Sequence, residues 1–135
     1  MWFLSYFVGT TAMIESEKVT RKKRIDAALK ALGWIVVPYM AGINTSVYRH
    51  HAVEEYPTSN GPADYALFVN GALLGILEAK KYGVGAQNVL EQAKRYAKGL
   101  APTIGKWDQY AVPFLFSSSG AQTYFLDVRD GQHIS

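Results

Sequence analysis

Three charged residues that could act together lie in two apolar segments of the sequence. Asp64 opens one segment, and Glu78 and Lys80 close the next. Removing an unpaired carboxylate from water costs several kcal/mol or more, so such charges need a compensating partner. Two carboxylates together with the carbonyl of Ala79 form a hard-oxygen site of the kind that Mg²⁺ prefers. A cation held beside the Lys80 ammonium would stabilise the negative charge that builds up on a phosphate under nucleophilic attack.

The two segments, 63–69 and 72–81, are predicted to be neighbouring strands. Asn70-Gly71 between them is the strongest short-range hairpin signal. Both segments are apolar on both faces, which places them at the centre of a sheet. A two-residue loop would turn Asp64 and Glu78 to opposite faces, whereas an odd-numbered loop with Gly71 as a left-handed bulge residue would return them to one face. We predict the odd-numbered loop.

Helices and further strands surround this hairpin. Ser16 can cap a first helix, whose apolar stripe ends at Gly33. The other predicted elements are a strand at 34–39, an edge strand at 52–56 followed by a loop at 57–62, a second helix at 86–100, and strands at 111–116 and 122–128. This order predicts one α/β domain, 15–135, with a mixed central β-sheet flanked by helices.

Composition narrows the classes of protein to which the chain can belong. Its 135 residues are 49% hydrophobic, enough for one domain with its own core. It has no cysteine, which excludes disulfides, thiolate metal sites and cysteine nucleophiles and favours a cytoplasmic location. The net charge of +3 is compatible with nucleic-acid binding without establishing it.

Residues 1–14 form an apolar N-terminal extension. A span of a bilayer needs about 20 apolar residues, so no membrane association is expected. We expect the extension to be dispensable, or to result from an upstream start codon. The alternative is a lead-in strand that packs on the core.

The charged residues resemble a known nuclease signature. Asp64 followed by Glu78-Ala79-Lys80 across a hairpin resembles the PD-(D/E)xK motif, with its proline, Pro62, one position early. Three further features resemble the N-terminal nuclease domain of type I restriction enzyme R (HsdR-like) subunits. They are Glu17-x-x-Thr20-Arg21 with Ile25-Asp26, Gln92-x-x-x-Tyr96, and the turn from Phe116 to Gly120. The similarity covers 15–131 and implies a restriction-endonuclease-like sheet.

This resemblance implies an endonuclease that cleaves double-stranded DNA with Mg²⁺, or with Mn²⁺ in its place, after an attached translocase stalls. The implied metal ligands are Asp64, Glu78 and Ala79; the implied catalytic residues also include Lys80, Glu17 as a supporting acid, and Gln92 and Tyr96 beside the active site. The predicted DNA contacts are Lys22, Lys23, Lys81 and Ser117. For the basic run 18–24 as a whole, a solvated helix face is the first interpretation, and contact with the DNA backbone is the alternative.

The sequence departs from the family in one respect. It has no Gly-x-x-x-x-Gly-Lys-Ser/Thr phosphate loop, so these residues hold no ATP site. The expected partners are therefore a translocase and the methylation and specificity subunits of a restriction complex. Two other functions stay open: a non-catalytic DNA-binding or assembly module, and a stand-alone structure-selective nuclease such as a dimeric junction resolvase. Each group of residues also has an alternative without catalysis. Glu78 and Lys80 could form a salt bridge at an exposed strand end, and Glu17 could form an ion pair with Arg21.

Overall fold

The core of the fold is a six-stranded mixed β-sheet. A computed structural model describes residues 16–80 and 90–129. The strands are β1 (Ile35–Pro38), β2 (His50–Thr58), β3 (Gly61–Val69), β4 (Ala72–Ala79), β5 (Phe114–Ser118) and β6 (Thr123–Asp127). They lie side by side in chain order; the β1–β2 and β4–β5 pairs are parallel and the other three pairs are antiparallel. The architecture is α/β, consistent with the restriction-endonuclease-like sheet expected from the sequence.

An N-terminal helix precedes the sheet. It consists of α1 (Glu17–Thr20), a π-helical turn (Arg21–Ile25) and α2 (Asp26–Ala31). The Ser16 hydroxyl accepts a hydrogen bond from the Val19 N–H at 3.2 Å, which confirms the predicted cap. At the other end Gly33 adopts a φ of 94°, and the Trp34 N–H returns to the Leu29 carbonyl at 2.9 Å. A glycine favours this left-handed helix stop.

A second helix, α3 (Glu91–Lys98), lies in the connection from β4 to β5, and a short 3₁₀ turn (Thr45–Val47) precedes β2. The two helices pack on opposite faces of the sheet. The N-terminal helix contributes Ile25 and Leu29 to a core with Tyr65, Leu67 and Leu77. The helix α3 contributes Ala93, Tyr96 and Ala97 to a core with Phe68, Ile76 and Leu115. Strands β3 and β4 are therefore central and buried on both faces, as predicted.

The predictions of an edge strand at 52–56 and a loop at 57–62 were wrong. Strand β2 lies between β1 and β3, and both β2 and β3 extend into the predicted loop, leaving only a turn at 59–60. Pro57 and Pro62 face each other one step from this turn. An antiparallel ladder does not use the N–H groups at every second facing pair, so two prolines can be accommodated there.

The last two strands are shifted from their predicted positions. Strand β5 begins directly after Pro113, which cannot donate a ladder hydrogen bond, and continues through Ser118.

The predicted extension at 1–14 and residues 86–89 of the predicted second helix lie outside the described residues. Within 16–80 and 90–129, no helix is both long enough and apolar enough to cross a membrane.

Candidate active site

The hairpin loop between β3 and β4 differs from the predicted one. Asn70 and Gly71 both have positive φ, 48° and 82°, and Val69 pairs directly with Ala72. These values are typical of a two-residue type I′ loop, for which Asn-Gly is the favoured sequence. The predicted odd-numbered loop was therefore wrong. With regular pairing, such a loop would place Asp64 and Glu78 on opposite faces.

A β-bulge restores the common register. The facing pairs are Val69–Ala72, Phe68–Leu73, Leu67–Gly75, Ala66–Ile76 and Tyr65–Leu77. Strand β4 thus holds one extra residue, Leu74, between Leu73 and Gly75. Continuing this register brings Asp64 opposite Glu78. The extra residue in β4 therefore brings Asp64 and Glu78 to one face of the sheet, which the loop was predicted to do.

Asp64 and Glu78 are each held by the other's strand. The Glu78 carboxylate accepts a hydrogen bond from the Asp64 backbone N–H at 2.8 Å. The Asp64 carboxylate accepts one from the Ala79 backbone N–H, also at 2.8 Å. Both acids are thereby fixed to the hairpin backbone, on adjacent strands and close to each other.

Burial makes this pair of acids electrostatically unusual. Glu78 is 1% exposed. Its burial, followed by the negative charge of Asp64, raises the pKa of Glu78 to about 9. The Asp64 N–H bond and the charge of Lys80 lower that pKa only in part. Without a further cation, the site therefore holds a proton on Glu78 at neutral pH.

Arg21 lies against the Asp64 carboxylate. Its Nη1 is 3.4 Å from Asp64 Oδ1 and 2.8 Å from Glu55 Oε2, and its Nη2 is 3.9 Å from Glu54 Oε1. Burial lowers the pKa of the guanidinium, but the hydrogen bond and charge of Glu55 and the charge of Asp64 outweigh it, so this pKa is raised. Glu54 and Glu55, which lie beside Arg21, were not among the predicted site residues.

A kink in β2 explains how Glu54 and Glu55 both come near Arg21. Glu55 has a φ of 55°, in the left-handed region that side chains rarely adopt. Val53 and Tyr56 contact the same core cluster although they are three residues apart. The strand alternation is therefore broken at Glu55, opposite Asp64. A positive φ on a non-glycine residue at this position is backbone strain beside the candidate site.

The cleft in front of Asp64 has a volume of about 420 Å³. Its lining residues are Lys18, Arg21, Glu55, Asp64 and Ala79. The predicted ligand Ala79 thus lines the same cleft as Asp64. The cleft is large enough for a hydrated cation and a phosphate group.

Lys80 points to the other side of this carboxylate pair. Its Nζ is 3.4 Å from Gln92 Oε1, and Gln92 Nε2 donates to the Tyr96 hydroxyl at 3.1 Å. Burial and the charge of Asp64 raise the pKa of Glu78, and the charge of Lys80 lowers it. Gln92 therefore contacts the predicted catalytic lysine, and Tyr96 is linked to that lysine through Gln92. A Cβ added at Gly61, whose φ is 116°, would be crowded at 3.2 Å from Tyr96 Cε1.

Of the remaining predicted site residues, the structure describes the side chains of Lys22, Lys23 and Ser117, and none of these lines the cleft in front of Asp64. Lys22 and Lys23 are exposed in the π-helical turn. Ser117 pairs with Glu78 in the β4–β5 ladder and is 1% exposed, so it does not present its hydroxyl to DNA as predicted. The structure describes Glu17 only as the first residue of α1, without its side chain, and Lys81 lies outside the described residues.

The donor set fits a divalent cation of the magnesium type. Among the described residues, no group of three or more His, Asp or Glu side chains converges on one point. Mg²⁺ commonly binds through one or two carboxylates and keeps several waters, so Asp64, Glu78 and the Ala79 carbonyl are sufficient donors. Two buried oxygens, Glu54 Oε1 and Ser117 Oγ, have no hydrogen-bond partner within the part of the chain that the structure describes. Such oxygens are satisfied when a ligand or its water shell is present.

Comparison with known proteins places the chain in a family. Residues 35–134 match the family model described as the type I restriction enzyme EcoKI endonuclease subunit second domain. The matched range contains Asp64, Glu78, Lys80, Gln92 and Tyr96 and leaves out the N-terminal helix. No curated protein and no solved structure was found to match the chain. The chain therefore belongs to the family of the EcoKI endonuclease subunit second domain, and it is an HsdR-like nuclease domain of restriction-enzyme type.

Proposed function

We propose that the chain is a Mg²⁺-dependent endonuclease domain that hydrolyses phosphodiester bonds in double-stranded DNA. The observation that carries the proposal is the pair Asp64–Glu78, each acid held by the other's strand at 2.8 Å, with Lys80 two residues further along β4. Membership of a type I restriction endonuclease family supports the same reading.

Asp64, Glu78 and the Ala79 carbonyl would hold the cation. When bound, Mg²⁺ supplies Lewis-acid stabilisation for the negative charge that develops on the phosphate. The two carboxylates already lie in register, so no rearrangement of the hairpin is needed to bring them together. Glu78 would release its proton as the cation binds, because a nearby positive charge favours the ionised carboxylate and lowers the pKa that burial and Asp64 raise.

Lys80 would position the attacking water and stabilise the phosphate oxygens. Its ammonium contacts Gln92, which in turn contacts the Tyr96 hydroxyl. This chain of contacts holds a flexible four-carbon side chain in one direction. A lysine fixed in this way contributes a localised positive charge to the transition state without reorganisation.

The chain would act within a restriction complex. We propose a translocase and the methylation and specificity subunits as its partners, since these residues contain no phosphate loop of their own. Cleavage of both DNA strands needs two hydrolytic events, so the isolated chain is expected to cut slowly.

A non-catalytic assembly module is the second candidate function. The ion pair between Arg21 and Asp64 favours it, because a guanidinium can neutralise a carboxylate without any metal. In that case, DNA binding would respond neither to Mg²⁺ nor to Asp64→Asn, and stability would not respond to Mg²⁺.

The test combines metal binding with cleavage. Calorimetric titration of Mn²⁺ is expected to show binding by the unmodified chain and at least a tenfold loss of affinity in Asp64→Asn. Plasmid nicking with Mg²⁺ or Mn²⁺ is expected to fall in Lys80→Ala. Lys30→Ala, at an exposed position of the N-terminal helix, is the control. Metal binding and cleavage that are both unaffected by Asp64→Asn, Glu78→Gln and Lys80→Ala would contradict the proposal.

A further inference from the structure

A second cleft, of about 480 Å³, lies between the end of β4 and α3. Its lining residues are Lys80, Glu91, Gln92, Lys94, Arg95 and Lys98. Four of these six side chains are cationic and one is a carboxylate, so the wall carries a net charge of +3. A concave surface of one charge sign concentrates oppositely charged ligands.

The cations of this cleft are held in place by the fold. Arg95 Nη1 donates to the Asn60 carbonyl at 3.0 Å, and the guanidinium carbon lies 4.8 Å from the centre of the Tyr96 ring. Lys98 Nζ lies 5.7 Å from the centre of the Tyr110 ring. Side chains that are already ordered lose less entropy on binding a ligand. This distinguishes them from the freely solvated lysines of an ordinary helix surface.

Glu91, the carboxylate among the described lining residues, does not block an anion. Glu91 Oε2 is 3.2 Å from Lys94 Nζ, and the Glu91 side chain is 64% exposed. Exposed ion pairs of this type contribute little free energy, so a phosphate group could replace Glu91 as the partner of Lys94.

Lys80 connects this cleft to the candidate active site. Its Nζ contacts Gln92 on the same helix that carries Lys94 and Lys98, which lie one turn apart. By contrast, Lys22 and Lys23 belong to the helix on the opposite face of the sheet. A strand of nucleic acid whose phosphate reaches Lys80 from the α3 side therefore passes along Lys94, Arg95 and Lys98.

We propose that this cleft binds the sugar–phosphate backbone of the DNA strand next to the scissile phosphate, through Lys94, Arg95 and Lys98. The inference rests on the proposed function and adds the path of the DNA to it. It replaces the expectation that Lys22 and Lys23 are the principal DNA contacts.

The test measures DNA binding without metal. A fluorescent duplex is titrated with the chain in EDTA at several salt concentrations. The double variant Lys94→Gln/Lys98→Gln is compared with Lys22→Gln/Lys23→Gln, which removes the same charge from the other helix. We expect the first variant to bind roughly tenfold more weakly, and to lower the salt slope by about 2, because each phosphate contact contributes about 0.9. The control variant should stay close to the unmodified chain.

Equal losses in the two variants, no loss in the first, or no binding by the unmodified chain at low salt would each overturn the inference. Thermal unfolding of both variants verifies that they are folded. Mn²⁺ titration of the first variant separates this inference from the proposed function, because its metal affinity should be unchanged. If the first variant loses DNA binding but keeps metal binding that depends on Asp64, both the proposed function and the DNA path are supported. If it keeps both DNA binding and this metal binding, only the DNA path is overturned.

Discussion

The Glu78 carboxylate accepts a 2.8 Å hydrogen bond from the Asp64 backbone N–H, and the Asp64 carboxylate reaches back to the strand of Glu78 at Ala79. The hairpin backbone therefore sets the position of both acids before any ligand binds. Because Glu78 is buried with this neighbour, its pKa is raised to about 9. The charge state of the pair, rather than its geometry, is what a cation would change.

We predict that the metal-free chain loses stability as the pH rises. Between about 4.5 and about 9 the folded state keeps a proton on Glu78 that the unfolded state releases, so the free energy of unfolding decreases through this window. Each pKa unit between the two states corresponds to about 1.4 kcal/mol, so a loss of a few kcal/mol is expected. Urea unfolding from pH 5 to pH 9 measures it.

The matched variant for this prediction is Glu78→Gln, which keeps the side-chain shape without the titratable group. Its stability should depend less on pH and should exceed that of the unmodified chain at pH 9. Glu91→Gln, an exposed exchange of the same kind, should behave as the unmodified chain does. If Glu78→Gln retained the full decrease, another group would have to be its source.

We predict that Arg21 opposes metal binding in the absence of DNA. Its guanidinium lies 3.4 Å from the Asp64 carboxylate, within the cleft that a cation would enter. Arg21→Gln should therefore bind Mn²⁺ more tightly, by about tenfold or 1.4 kcal/mol, as measured by calorimetry. Lys22→Gln, at the next and exposed position, should have unchanged affinity. Weaker metal binding in Arg21→Gln would show that Arg21 instead supports the carboxylates.

The candidate acids could be found from the sequence because burial of charge is a strong signal. Asp64 and Glu78 stand in apolar strands around an Asn-Gly turn, and both the strands and the turn position are as predicted. Leu74 gave no such signal. It belongs to a run of apolar residues, and nothing in that run distinguishes the residue that becomes the extra one in the ladder.

Arg21, Glu54 and Glu55 became part of the site for reasons that are not local. Arg21 stands in a run of basic residues typical of a solvated helix, and only the π-helical turn and the contact with β2 bring it inwards. Glu54 and Glu55 are adjacent, so regular strand alternation would send them to opposite faces. The positive φ of Glu55 breaks that alternation, and nothing in the sequence around it indicates a kink.

We predict that Gln92 positions Lys80 rather than binding metal. Gln92→Ala removes the contact at 3.4 Å that fixes the Lys80 ammonium. The cleavage rate should fall by about tenfold while the Mn²⁺ affinity stays unchanged, a separation expected of groups that orient others. Tyr96→Phe, which keeps the packed ring but loses the hydroxyl bonded to Gln92, should give a smaller decrease in the same direction. Lys30→Ala, exposed on the N-terminal helix, is the control. A parallel loss of metal affinity in Gln92→Ala would contradict this assignment.

Tyr65 connects the N-terminal helix to the sheet next to Asp64. Its hydroxyl donates to the buried Asp26 carboxylate and lies 3.4 Å from the Arg21 carbonyl, so both ends of the π-helical turn meet one side chain. Burial and then the bond to Asp26 raise the pKa of Tyr65 well above its usual value. The hydroxyl is therefore a hydrogen-bond donor at every pH at which the chain is folded.

We predict that Tyr65→Phe lowers the free energy of unfolding by about 1 to 3 kcal/mol, because the buried Asp26 carboxylate loses its donor. Asp26→Asn, which removes the charge but keeps the shape, should make the two changes less than additive in a double-mutant cycle measured by urea unfolding. Because the π-helical turn presents Arg21 to Asp64, Tyr65→Phe should also increase the Mn²⁺ affinity in the same direction as Arg21→Gln. If the two changes were strictly additive and Tyr65→Phe left the metal affinity unchanged, the Tyr65 hydroxyl would not be the group that positions the π-helical turn, and with it Arg21, beside Asp64.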